Sequence, residues 1–123
     1  MANELKFQVG IVYANGPLAD TVQNHQLQVN QLAPGMDALA VTVGTSEQDV
    51  VPPDIATLGW VYIKNLDANN FISYGPKSGG AMVGFGKLLP GEETPAIRLL
   101  PGITLRCKAD TAPCSVLFRF YNA

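Results

Sequence analysis

Charge is what this sequence has least of. Only 15% of its 123 residues are Asp, Glu, Lys or Arg, against about 25% in an ordinary soluble domain. The formal net charge is −2 and the cations are scattered, which excludes the basic stripe of a nucleic-acid-binding face. Surface polarity is left to Gln, Asn, Ser and Thr. Two readings of that stand side by side: a neutral polar surface, or a surface part of which a partner covers. Histidine occurs once, as His25. A four-ligand zinc site within one chain therefore has too few donors, and a Ser or Cys nucleophile has almost no choice of base. No catalytic residue, metal ligand or cofactor site is expected. Long apolar runs are also missing. Nothing approaches the roughly 20 residues of a membrane helix, and MANELKFQVG lacks the basic stretch and apolar run of an export signal. Synthesis in a cytoplasm follows as an expectation. The two cysteines, Cys107 and Cys114, flank six residues and could face each other across a turn. In a cytoplasmic chain, free buried thiols are the better reading.

No segment has the 3.6-residue spacing of an amphipathic helix. A period of two recurs instead. Leu5, Phe7, Val9, Ile11 and Tyr13 alternate with Lys6, Gln8, Gly10 and Val12, a half-buried strand closed by Asn15-Gly16-Pro17. Leu18 to Asn24 reads as a loop or short bridge. A second strand runs over His25–Leu32, with Leu27 and Val29 toward the core and Gln26, Gln28 and Asn30 outward. Ala38–Val43 is a third. Thr45 to Ala56 contains Pro52-Pro53, which excludes a central strand and suits a passage between sheets.

The stretch around which the rest is organised is GWVYIKNLDANNFISYG, Gly59 to Gly75. Trp60–Asn65 and Phe71–Tyr74 read as two strands of a core hairpin, carrying Trp60, Tyr62 and Tyr74, joined by an Asn/Asp turn. Further strands are expected over Ala81–Leu89, Ala96–Leu100, Ile103–Lys108 and Cys114–Tyr121. Gly84 and Gly86 leave room for a large neighbour such as Trp60, or for another backbone. Leu-Leu-Pro-Gly occurs at 88–91 and again at 99–102, the Pro-Gly order of a type II turn. Length and pattern together predict an all-β fold in one domain over 1–123: a jelly-roll-like β-sandwich of eight to nine short antiparallel strands.

Several constellations carry no chemistry. Asn65-x-Asp67-x-Asn69 opens like a calcium loop but has Asn70 and Pro76 where Gly and Glu are needed. Glu92-Glu93 would point to opposite sides of a strand. Gly79-Gly80 lacks the Lys-Ser or Lys-Thr of a phosphate loop. The most unusual surface is Thr21 to Met36, which has no charge when His25 is neutral. A strand without charges is either inside a sheet or covered by another subunit, and we favour the subunit, with Gln26, Gln28 and Asn30 as candidate subunit or capsid interface.

Thr57–Asp67 (TLGWVYIKNLD), Lys87–Glu92 (KLLPGE), Leu105–Ala112 (LRCKADTA) and the aromatic last strand together resemble small virion structural proteins of tailed bacteriophages. The resemblance covers roughly Thr57 to Tyr121. It implies a non-enzymatic, accessory role such as a capsid decoration (cement) protein on the outside of the head. The implied partners are the major capsid protein and the chain itself in a homo-oligomer such as a trimer, with no nucleic acid and no membrane. A tail or neck component is the alternative within the virion. An alternative of another class is a carbohydrate-binding β-sandwich stacking sugars on Trp60, Tyr62 and Tyr74. A hydrolase comes a distant third.

Overall fold

The computed structural model describes residues 4–123. Among the described residues the chain is all-β, with eleven strands and several antiparallel sheets, one of which curls into half a barrel. By its contacts the chain divides into two compact units, Met1–Ala33 and Pro34–Ala123.

The first unit is a two-stranded antiparallel ribbon of β1 (Leu5–Asn15) and β2 (Leu18–Val29). Leu18–Asn24, expected as loop, is strand throughout. Asn15-Gly16-Pro17 makes so tight a turn, with Gly16 at φ 57°, that pairing begins at once with Asn15 opposite Leu18. Only a residue without a β-carbon takes that φ readily. The register slips between Val9 and Ile11, where two residues of β2, Gln23 and Asn24, oppose Gly10 alone. Such a bulge lets both halves of the ribbon keep their apolar residues on one side.

The second unit holds the core. Its strands are β3 (Met36–Val43), β4 (Gln48–Val50), β5 (Leu58–Asn65), β6 (Ile72–Ser78), β7 (Ala81–Met82), β8 (Gly86–Leu88), β9 (Ile97–Arg98), β10 (Leu105–Ala109) and β11 (Cys114–Asn122). One sheet has the order β3-β11-β5-β9. The other runs β4-β10-β6-β7, with β8 also paired to β6. Alternate residues of both sheets meet in one apolar cluster: Val61 and Ile63 from β5, Ile72 from β6, Leu105 and Cys107 from β10, and Val116, Phe118 and Phe120 from β11. That is the period-two pattern in physical form, one face to the core and one outward. Pro52-Pro53 follows a three-residue edge strand, β4, inside the segment expected to be pure connection; an edge strand tolerates prolines just beyond it.

The expected core hairpin does not form. β5 pairs with β11 and β9, whereas β6 pairs with β10, β8 and β7. The Asn/Asp segment is a turn, as its composition says, but one that carries the chain from one sheet to the other. Asp67 accepts the backbone N–H groups of Asn69 (2.9 Å) and Asn70 (2.7 Å), and Asn65 Oδ1 accepts that of Asp67 (3.0 Å). A turn that links two sheets and one that closes a hairpin use the same residues. What differs is which partner each strand finds.

The neighbour that the glycines admit is Tyr74, not Trp60. Gly86 lies opposite Tyr74 in the β6–β8 register, and a β-carbon on Gly86 would overlap the tyrosine ring; Gly84 faces open space. The expected strand over Ala81–Leu89 is accordingly two short pieces, β7 and β8. Both Pro-Gly turns appear as read, with Gly91 at φ 80° and Gly102 at φ 85°, and Glu92 N–H donates to Leu89 O across the first (3.0 Å).

Cys107 and Cys114 are free and buried. Burial, with the nearby Cys114 adding to it, pushes the Cys107 thiol up to about 12. An acid whose folded pKa is raised contributes stability below its unfolded value, near 9, and loses it as pH rises toward the folded one. Native protein should therefore resist alkylation at neutral pH and take two alkyl groups once denatured. Stability should also fall between pH 9 and 12, a decline that Cys107→Ser flattens. Rapid native labelling of both thiols would contradict this.

Candidate interaction surface

The ribbon carries the most exposed apolar surface. Residues directly opposite in an antiparallel pair share a face. Leu5, Phe7, Val9, Ile11 and Tyr13 on β1 therefore lie on one face with Val29, Leu27, His25, Val22, Asp20 and Leu18 on β2. Of these, Ile11 is 57% exposed, Leu18 62%, Tyr13 45% and Leu27 40%. Exposed apolar groups in a contiguous row, unlike single scattered ones, mark a contact surface. A ribbon of two strands is also marginal by itself in water and needs something packed on it.

The opposite face is mostly polar or small, with Val12 as an exposed apolar exception at 84%. It carries Lys6 opposite Gln28, Gln8 opposite Gln26, Val12 opposite Thr21 and Ala14 opposite Ala19. Gln26 and Gln28 are thus on this polar face, as expected, and Gln28 Nε2 donates to Gln26 Oε1 (2.7 Å). Asn30 lies just beyond the end of β2 and is exposed. Leu27 and Val29 lie on the other face, but that face is not a core: Leu27 is substantially open to solvent. The sequence shows the alternation. It misses the apolar face as a surface, because strict alternation reads the same whether the apolar side is packed or bare.

Within the second unit, Trp60 is buried (8% exposed) but does not belong to the core cluster. Val61 and Ile63 take the inward positions of β5, so Trp60, Tyr62 and Lys64 lie on the outer side of the sheet. The Arg98 guanidinium stacks over the Trp60 ring at 5.1 Å. Tyr62 is half-buried; its hydroxyl donates to Glu93, which raises the phenol's pKa, and Lys64 Nζ reaches the same carboxylate at 3.8 Å. Tyr74 is half-buried and meets Phe85 edge-on, with centroids 6.4 Å apart. Trp60 and Tyr62 thus share the outer face of β5, whereas Tyr74 lies on β6 in the other sheet.

Two other features of this unit are built by its loops. An apolar cleft of about 360 Å³ is lined by Val61, Ile63, Tyr74, Phe85, Leu100 and Leu105. On the other sheet Arg106 donates from Nε to Asp49 (2.7 Å) and from Nη1 to Glu47 (3.0 Å) and Gly80 O (3.0 Å), while Glu47 also accepts Met82 N–H (2.7 Å). This network ties β4, β10 and the β6–β7 turn together. The Met82 N–H first and Arg106 after it hold the Glu47 carboxyl below its usual range; Arg106 does the same for Asp49. These groups are solvent-facing and read as a structural clasp. Among the described residues no cluster of His, Cys, Asp and Glu is arranged to hold a metal ion.

Comparison of the chain with protein-family models, with curated proteins and with solved structures finds no match. The chain is an all-β protein with several antiparallel sheets, and Ile11, Tyr13 and Leu18 are exposed on its ribbon.

Proposed function

We propose that this chain is a non-enzymatic structural protein of a tailed-phage virion, a decoration protein that binds the outside of the head and holds capsid subunits together. The observation that carries an assembly role is the amphipathic ribbon, whose apolar face leaves Ile11, Tyr13 and Leu18 open to solvent. The capsid as the place of assembly comes from the resemblance of Thr57–Tyr121 to small virion proteins. In this reading the second unit is a jelly-roll-like sandwich, supported by the single cluster that both sheets share, and acts as a rigid body. The polar side with Gln26, Gln28 and Asn30 faces the capsid lattice. Several such contacts per oligomer raise avidity although each is modest.

The test uses purified particles. Gentle dissociation should release this chain from heads, and imaging should show surface density lost and then restored when the chain is added back. Gln26→Lys with Gln28→Lys should lower head occupancy and leave the chain folded, because both side chains are exposed. Particles that never contain the chain would overturn the reading. Density found only on the tail or neck would move it there.

A further inference from the structure

We propose that the apolar face of the β1–β2 ribbon is completed by the same face of a second copy, the two ribbons crossing antiparallel about a two-fold axis at Ile11 and Val22. The proposal deepens the assembly reading of the ribbon and rests on it; it names the partner of the apolar face.

Area is the first argument. Eleven residues of β1 at about 3.4 Å each give a ribbon some 37 Å long. With two strands about 4.8 Å apart and side chains at both margins, one face offers roughly 500 Å² of accessible surface. About an axis at Ile11 the stretch Phe7–Asn15 overlaps its mate, so the two faces bury roughly 800 Å² in total, the size of a weak, concentration-dependent contact.

Charge is the second argument, and it fixes the arrangement. The face carries two groups that are not apolar in its interior: His25, opposite Val9, and Asp20, opposite Tyr13. The rung between them is Ile11 with Val22. Both belong to β2, and they sit one rung to either side of that central pair. Take a two-fold axis that lies between the faces, perpendicular to the strands, and passes the Ile11–Val22 rung. It sets β2 over β2 and reverses the order of the rungs. Each His25 then faces the other copy's Asp20, twice by symmetry, and Ile11 and Val22 meet their own symmetry mates. A parallel arrangement, with the axis along the strands, would place His25 over Val9 and Asp20 over Tyr13, leaving a carboxylate covered by an aromatic ring without a partner. Both arrangements are isologous, with residue i touching j and j touching i; only the antiparallel one gives Asp20 a basic partner. The polar face, with Lys6, Gln8, Gln26 and Gln28, remains outward on both sides of the pair and free for the lattice.

The experiment is sedimentation of the full chain over a concentration series, with Trp60 fluorescence reporting that the second unit stays folded. The native chain should form dimers. Ile11→Asp, at a position already 57% exposed, should weaken association at least tenfold without changing the unfolding midpoint of the second unit. Asp20→Lys and His25→Asp should each weaken the dimer, and the double variant should recover most of the loss. A native chain that remains monomeric, or an Ile11→Asp chain that dimerises as before, overturns the pairing. A double variant no better than the singles overturns the antiparallel register. Head binding measured on the same variants separates the two ideas: a monomer that still decorates heads defeats the pairing and leaves the capsid reading standing.

Discussion

Phe118→Ala should destabilise the second unit by about 3–5 kcal/mol, the usual cost of emptying a buried aromatic site. Phe118 is fully buried on β11, the strand between β3 and β5, opposite Leu39 on one side and Ile63 on the other. Its ring lies parallel to that of Phe120, with centroids 5.9 Å apart and planes 10° from coplanar. Neighbours on three strands hold the walls, so the cavity cannot collapse without shifting the sheet. Against a total stability of about 5–15 kcal/mol, such a loss leaves a marginal fold. A denaturant titration followed by Trp60 fluorescence reads the change. Phe118→Leu, which keeps most of the volume, should lose much less. A midpoint unmoved by the alanine variant would mean that the two sheets do not share this core.

The second large effect is expected at Asn65, a fully buried polar side chain at the end of β5. Its Nδ2 donates to Asn70 O (3.0 Å) and Leu88 O (3.1 Å), and its Oδ1 accepts Asp67 N–H (3.0 Å). The amide therefore ties the crossing turn to both β5 and the end of β8. Alanine would leave two carbonyls and one N–H without these partners, each costing about 1–3 kcal/mol where water cannot reach. We expect Asn65→Ala to lose about 3 kcal/mol or more. Asn65→Asp separates the hydrogen bonds from the packing. It keeps the acceptor for Asp67 N–H but sets a carboxylate against two carbonyl oxygens. The folded state then favours the protonated acid, so this variant should gain stability relative to the native chain as pH falls through the carboxylate range. A loss below about 1 kcal/mol for the alanine variant would show the turn to be held by its Asp67 bonds alone.

Much of the local structure was legible before any coordinates. Alternation identifies β1, β3, β5, β10 and β11 because a strand with one buried face must place apolar side chains at every second residue. Pro90-Gly91 and Pro101-Gly102 announce their turns because a positive φ needs glycine. Asn65-Leu66-Asp67 announces a turn because short polar side chains can bond their own backbone. The alternation in β1 and in Leu27–Val29 likewise predicts an apolar and a polar side for each strand. Gln26, Gln28 and Asn30 are exposed, as that reading requires.

Only the tertiary structure decided where those faces meet. Trp60–Asn65 and Phe71–Tyr74 have the sequence of a hairpin, yet each finds its partners in a different sheet, because strand pairing depends on residues such as Phe118, opposite Ile63, and Cys107, opposite Tyr74, that lie far along the chain. Trp60 looks like the centre of the core and lies on its outer side, since Val61 and Ile63 already fill the inward positions. Leu18–Asn24 has little strand character and is strand because β1 is there to pair with it. The apolar side of the ribbon has the composition of a buried face and is left open. A one-dimensional pattern records which side of a strand is apolar; whether anything covers that side is a relation between distant segments, or between molecules, and has no local signature.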